Sequence, residues 1–110
     1  MSLNRVILIG RLTRQPELRI TPKGVSVCNV SIAVDRRNKN DGTDFFDIVA
    51  WGKTAEYLCK YQDKGNLIGV DGRLQTRSYE TKDGQKRTVV EVWCDSIQFL
   101  SPRSGNNPEE

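Results

Sequence analysis

Thr43-Asp44-Phe45-Phe46-Asp47-Ile48-Val49-Ala50-Trp51-Gly52-Lys53 is the stretch on which the reading of this chain turns. As a β-strand it sends alternate side chains to opposite faces. Phe46, Ile48 and Ala50 then share a core face, while Phe45, Asp47, Val49 and Trp51 share the face that should meet water. At the usual rise per residue Phe45 and Trp51 stand about 20 Å apart along the strand, with Lys53 beside them. A strand aromatic taken alone belongs more often to a core. Two in one phase, opposite Phe46 and Ile48, suit instead a surface that stacks bases and neutralises phosphates along a single nucleic-acid strand.

Outward from this strand the dominant period remains two. Leu3–Leu12 reads as a first strand, followed by a turn-rich stretch through Pro16 and Thr21-Pro22-Lys23-Gly24. Ser26–Asp35 is the second strand, with Cys28, Val30, Ile32 and Val34 on one face. Arg36-Arg37-Asn38-Lys39-Asn40-Asp41-Gly42 is a basic hairpin loop ending in Asp-Gly. After the aromatic strand, Ala55, Leu58, Cys59 and Gln62 follow helical spacing, and Gly65 supplies the stop. Leu67–Arg77 is the fourth strand, with Ile68, Val70, Leu74 and Thr76 inward and Asp71, Arg73, Gln75 and Arg77 outward. Gly72 interrupts the inward row and marks a bend. Lys82-Asp83-Gly84 signals a hairpin turn into the fifth strand, Thr88–Leu100, whose apolar phase slips near Asp95-Ser96 as a bulge or barrel corner would make it. Five strands with one α-helix between strands 3 and 4 make an all-β chain in the order of the OB-fold, a small five-stranded barrel, although other small barrels share the pattern.

The totals bound the function. One hundred and ten residues suffice for one domain. The charge is 17 basic against 14 acidic, and without Arg103, Glu109 and Glu110 it is 16 against 12. So mild an excess leaves clustering, not bulk charge, to carry a nucleic-acid argument. Met1–Arg5 runs straight into a strand, and Val6–Ile9 is far too short an apolar run to cross a membrane. Cys28, Cys59 and Cys94 are odd in number and widely spaced, which speaks against a disulfide framework and for a reducing cytoplasm. The chain contains no histidine, so the usual base for a Ser or Cys nucleophile is missing. Gly52-Lys53-Thr54 has the end of a phosphate-binding loop but Asp47 where that loop needs Gly. The expectation is a non-enzyme without cofactor or metal.

The residues also carry a family resemblance. Asn4–Leu12 with Pro16-Glu17-Leu18-Arg19, Phe45 through Trp51-Gly52-Lys53-Thr54-Ala55-Glu56, Lys64-Gly65 and Val70–Tyr79 stand in the order found in bacterial single-stranded DNA-binding proteins. Together these blocks cover most of residues 3–100. The resemblance implies an OB-fold domain over residues 1–102 that assembles as a homotetramer and binds single-stranded DNA without strong sequence preference. It implies service in replication, repair or recombination, in the cytoplasm with the nucleoid. By position, Phe45, Trp51 and Tyr79 match the family's base-stacking aromatics, Phe45 and Tyr79 being smaller than the tryptophans common there. Arg36-Arg37 stands where some members carry a further aromatic. Many members end in an acidic tip closed by Pro-Phe that recruits replication and repair proteins. Residues 103–110 end Asn107-Pro108-Glu109-Glu110 and are read as a short disordered tail without that motif.

Arg36, Arg37, Lys53, Arg73, Arg77, Lys82, Lys86 and Arg87 complete the expected DNA-binding set, lying in the hairpin loops or beside the aromatics. Asp47 works against phosphate on that face and is expected to pair with a neighbouring Arg. Arg5, Val6, Ile7, Leu8 and Ile9 form the expected oligomer interface, because both faces of this strand are apolar and a barrel wall needs only one. Trp93, on a face with Glu91 and Asp95, is read as structural or as a subunit contact. Two other functions stay open: an OB-fold module that mainly holds other proteins, and an RNA binder, since no residue here distinguishes recognition of the 2′-hydroxyl from its absence.

Overall fold

The computed structural model describes residues 2–101, Lys39 by its backbone alone; the expected tail at 103–110 lies outside the described residues. The elements are β1 (Val6–Leu12), β2 (Arg19–Ile20), β3 (Ser26–Asp35), β4 (Thr43–Trp51), α1 (Gly52–Tyr61), β5 (Leu67–Glu80) and β6 (Lys86–Phe99), with a short 3₁₀ turn at Lys39–Asp41. The sheet runs β1-β5-β6-β4-β3-β2, and β1 also pairs with β3, so the five long strands return on themselves. All pairings are antiparallel except β4 with β6, where Ile48 faces Val92 and Val49 faces Trp93. This is the OB-fold, with one α-helix between β4 and β5.

Period-two alternation builds the core. Cys28, Val30 and Ile32 from β3 meet Ile48 and Ala50 from β4, Ile68 and Val70 from β5, and Val92 from β6. Helix α1 closes one end of this ring by burying Ala55 and Leu58 completely. Gln62 is buried just past the helix, where Nε2 donates to the Tyr61 carbonyl and Oε1 accepts from Asn66. The expected helix begins earlier than its apolar spacing suggests, taking Gly52 and Lys53 out of the aromatic strand.

The phase slip in the last strand is a bulge. Asp71 faces Ser96 while Gly72 faces Cys94, which leaves Asp95 as the extra residue of β6. Gly72 is needed at that corner, because a Cβ there would lie 2.2 Å from the Trp93 carbonyl oxygen. Beyond Gln75 and Glu91, β5 and β6 continue paired to Glu80 and Lys86 and leave the barrel as a two-stranded arm. Leu74 and Thr76, expected to face inward, are exposed: Leu74 stands at the root of the arm opposite buried Val92, and Thr76 with its partner Val90 lies where there is no core left to receive them. The strand β2 was hidden in the turn-rich stretch, and forms a hairpin with β3 through the turn at Thr21–Gly24, where the Gly24 amide donates to Thr21 and Gly24 has φ +84°.

Candidate nucleic-acid interface

The outer face of β4 is assembled by its neighbours. Strand pairing sets Ala33 opposite Phe45, Asn29 opposite Val49 and Val27 opposite Trp51, while β6 brings Trp93 opposite Val49. Phe45 is 68% exposed and Trp51 40%, whereas Val49, in the same phase, is only 4% exposed. The indoles of Trp51 and Trp93 meet edge to face at 5.8 Å between ring centroids, an arrangement the ring quadrupoles favour. Trp93 is half-buried and lies beside Trp51 on this face, so it belongs to the aromatic surface and not only to the scaffold.

Glu91 anchors the same region from β6. Its buried carboxylate accepts from Arg77 Nη2 at 3.1 Å and from Trp93 Nε1 at 3.3 Å. The Arg77 hydrogen bond holds the Glu91 carboxyl below its ordinary value against the opposing effect of burial, and the same contact raises Arg77. Arg77 in turn lies 6.0 Å from the centre of the Tyr79 ring, within cation–π range. Between these groups and the β2–β3 turn runs an open cleft of about 510 Å³, lined among others by Arg19, Pro22, Trp51, Arg77, Glu91 and Trp93.

The expected cations divide into two sets. Arg36 pairs with Asp44 at 2.9 Å, Arg73 with Asp95 at 3.3 Å and Arg77 with Glu91 at 3.1 Å. Asp44 is held low by its hydrogen bond from Arg36, which is itself raised. Arg37, Lys53, Lys82, Lys86 and Arg87 are exposed and make no ion pair among the described residues, although Arg87 donates to Gln85. Asp47, expected to pair with an Arg, is exposed and lies outside the four ion pairs found among the described residues. Tyr79 and the Lys82, Lys86 and Arg87 side chains ride on the β5–β6 arm and are not among the residues that line the Trp51 cleft.

The face on β1 is of a different kind. Val6 and Leu8 pack against the core, so its exposed apolar surface is Ile7 and Ile9, 67% and 57% exposed. With Gly69, Gln98 and Leu100 they border a shallow hollow. Arg5 is tied to Asp71 at 2.6 Å beside it, and that contact raises the guanidinium.

Other chemistries find little support among the described residues. No group of three or more His, Cys, Asp or Glu residues could hold a metal there, and no described helix is long and apolar enough to cross a membrane. The three cysteines are free. Burial pushes the Cys28 thiol up, and those of Cys59 and Cys94 up to about 12, so they stay protonated at neutral pH.

Residues 3–100 match the Single-strand binding protein family. The chain belongs to the single-strand binding protein family. It is 51% identical over 109 residues to Single-stranded DNA-binding protein 3 of Clostridium acetobutylicum, covering 96% of this chain and 76% of that one. It is 52% identical over 112 residues to a Single-stranded DNA-binding protein of Staphylococcus aureus, covering 98% and 72%. A Single-stranded DNA-binding protein of Clostridium tetani is 54% identical over 102 residues, covering 89% and 70%. Arg19, Asn29 and Trp93 line the Trp51 cleft of this single-strand binding protein but stand outside the set expected from the sequence. Arg19 sits on a strand of only two residues, too short to show a period, and the place of Trp93 depends on the parallel pairing of β4 with β6.

Proposed function

We propose that this protein binds single-stranded DNA stoichiometrically and without sequence preference, protecting it during replication, repair or recombination. Phe45, Trp51 and Tyr79 stack bases, each stack contributing about 1–3 kcal/mol. Arg37, Lys53, Lys82, Lys86 and Arg87 track the phosphate backbone, and Arg36 and Arg73 exchange their exposed carboxylate partners for phosphate. The reading takes residues 1–102 as one binding domain, the protein as a non-enzyme, and its home as the cytoplasm near the nucleoid. The observation that carries it is the exposure of Phe45 and Trp51 on one strand face whose rim holds cations outside any ion pair among the described residues. The β1 face, with Ile7 and Ile9 turned away from the core, supports a homotetramer in which a second copy covers them.

Intrinsic tryptophan fluorescence, titrated with oligo-dT at low and high salt beside duplex and RNA controls, tests the reading. The expected result is quenching that saturates at a fixed number of nucleotides per protein, weakens with salt, and is absent with duplex. No saturable binding at low salt overturns it in favour of a protein-holding module, and equal or tighter binding of RNA overturns the assignment to DNA. Sedimentation of the free protein reads the assembly, where a monomer at micromolar concentration would refute the tetramer.

A further inference from the structure

The contacts around Glu91 form a continuous row across three strands: Trp51 on β4, Trp93 and Glu91 on β6, then Arg77 and Tyr79 on β5. Two of the three proposed stacking rings are thus joined through one carboxylate. We infer that Glu91 is a positioning residue of the single-strand-binding surface: it fixes the Trp93 indole and the Arg77 guanidinium as one wall of the Trp51 cleft and cancels the charge of Arg77, so that this wall meets a base and not a phosphate.

The Arg77–Glu91 pair differs from the other two in which partner can let go. In the Arg73–Asp95 and Arg36–Asp44 pairs the carboxylate side chains are 61% and 40% exposed, and water solvates them if the arginine turns to phosphate. The Glu91 side chain is 8% exposed, while that of Arg77 is 52% exposed. A phosphate that drew Arg77 away would leave a carboxylate nearly closed to water without its cation, which costs far more than freeing an exposed one. Arg77 therefore keeps its pair and offers the cleft a planar, charge-balanced surface. Guanidinium planes and indoles both accept a base by stacking. Arg19, which lines the same cleft and makes no ion pair among the described residues, is left to meet the backbone there.

This inference rests on the single-strand-binding reading, and salt dependence separates the two. Each phosphate neutralised on a single strand contributes about −0.7 to the slope of log K against log salt. Titrations with oligo-dT across a salt series compare the wild type, Glu91→Gln and the double variant Arg77→Gln/Glu91→Gln. Glu91→Gln keeps the shape and removes the charge, releasing Arg77 to phosphate, so its slope should steepen by about 0.7. The double variant should return to the wild-type slope. A folded Glu91→Gln protein with an unchanged slope overturns the inference. So does a double variant shallower than the wild type by about 0.7, since Arg77 would then already serve a phosphate. If Glu91→Gln fails to fold, the double variant decides, because it leaves no lone charge in the wall. A purely structural role for Glu91 would alter stability without changing the slope. A wild-type protein that never quenches refutes the single-strand reading itself, and this inference with it.

Discussion

The wall around Trp51, where β4 meets the β5–β6 pair, and the arm that carries Tyr79 are continuous along β5 and β6, yet they are built on opposite terms. At Trp51 the outward residues are backed by a core, and each is held by a neighbour: Trp93 by Glu91, Glu91 by Arg77, Val49 beneath them nearly closed to solvent. Along the arm Leu74, Tyr79 and Val90 are 45%, 45% and 56% exposed, and the cations Lys82 and Lys86 have no ion-pair partner among the described residues. The first region is organised before any ligand arrives. On the proposed reading a bound strand orders the second, and side-chain ordering costs about 0.5–1.5 kcal/mol per long side chain. By the same reading, most of the stacking falls to the body and most of the charge to the arm, with Tyr79 as the arm's one stacking ring.

The contrast can be broken most forcefully from beneath. Ile48→Ala, under the cleft, should cost about 2–5 kcal/mol of stability in denaturant unfolding, because Ile48 is 1% exposed in the centre of the core. A loss below 1 kcal/mol would mean that the body is not pre-organised. Trp51→Ala should weaken oligo-dT binding by about 1–3 kcal/mol with the thermal transition nearly unchanged, and Tyr79→Ala should fall at the lower end of that range. If Tyr79 proved the more costly, the arm and not the wall would be the main stacking platform. Replacing Lys82 and Lys86 together by Gln should flatten the salt slope by about 1.4 in total and lose its effect at high salt. An effect that persisted at high salt would assign them contacts other than phosphate.

Acid provides a finer probe of the wall. The folded carboxyl of Glu91 lies below its ordinary value, chiefly through Arg77. Its contribution to stability is therefore present above the unfolded value of about 4.3 and is lost as pH falls through the folded one. Glu91→Gln should make stability less sensitive to pH below about 5, read from urea midpoints across pH; an unchanged acid limb would mean the pair contributes nothing to folding. Val90→Ala, on the arm, marks the lower end of the scale with a change within about 0.5 kcal/mol.

Much of this was legible in the sequence because the fold is written in period two. The alternation of Phe45 to Trp51, the phase slip at Asp95 and the Gly72 corner all depend on neighbours within one strand, and each has its counterpart in the structure. What depends on pairing between distant strands was not legible. Trp93 reaches Trp51 only because β6 lies parallel to β4, and no pattern within residues 86–99 announces that. Leu74 and Thr76 keep the inward phase but outrun the barrel, since alternation states direction and not whether a core is there. Arg36, Arg73 and Arg77 read as free cations, and their acids, Asp44, Asp95 and Glu91, were fixed only by register and side-chain reach. Asp47 shows the converse: expected to pair with a neighbouring arginine, it forms no ion pair among the described residues, and its charge only adds to that of Glu91 in raising Arg77.

The three sheltered thiols make this chain convenient to label. At neutral pH a maleimide reacts with thiolate, and Cys28, Cys59 and Cys94 hold their protons too tightly to supply much of it. A reporter cysteine introduced by Glu80→Cys, exposed at the tip of the arm, would have an ordinary thiol and take a dye selectively, without first stripping out the native three. On the proposed reading the dye would sit on the segment that a bound strand orders, turning the protein into an optical gauge of unpaired DNA.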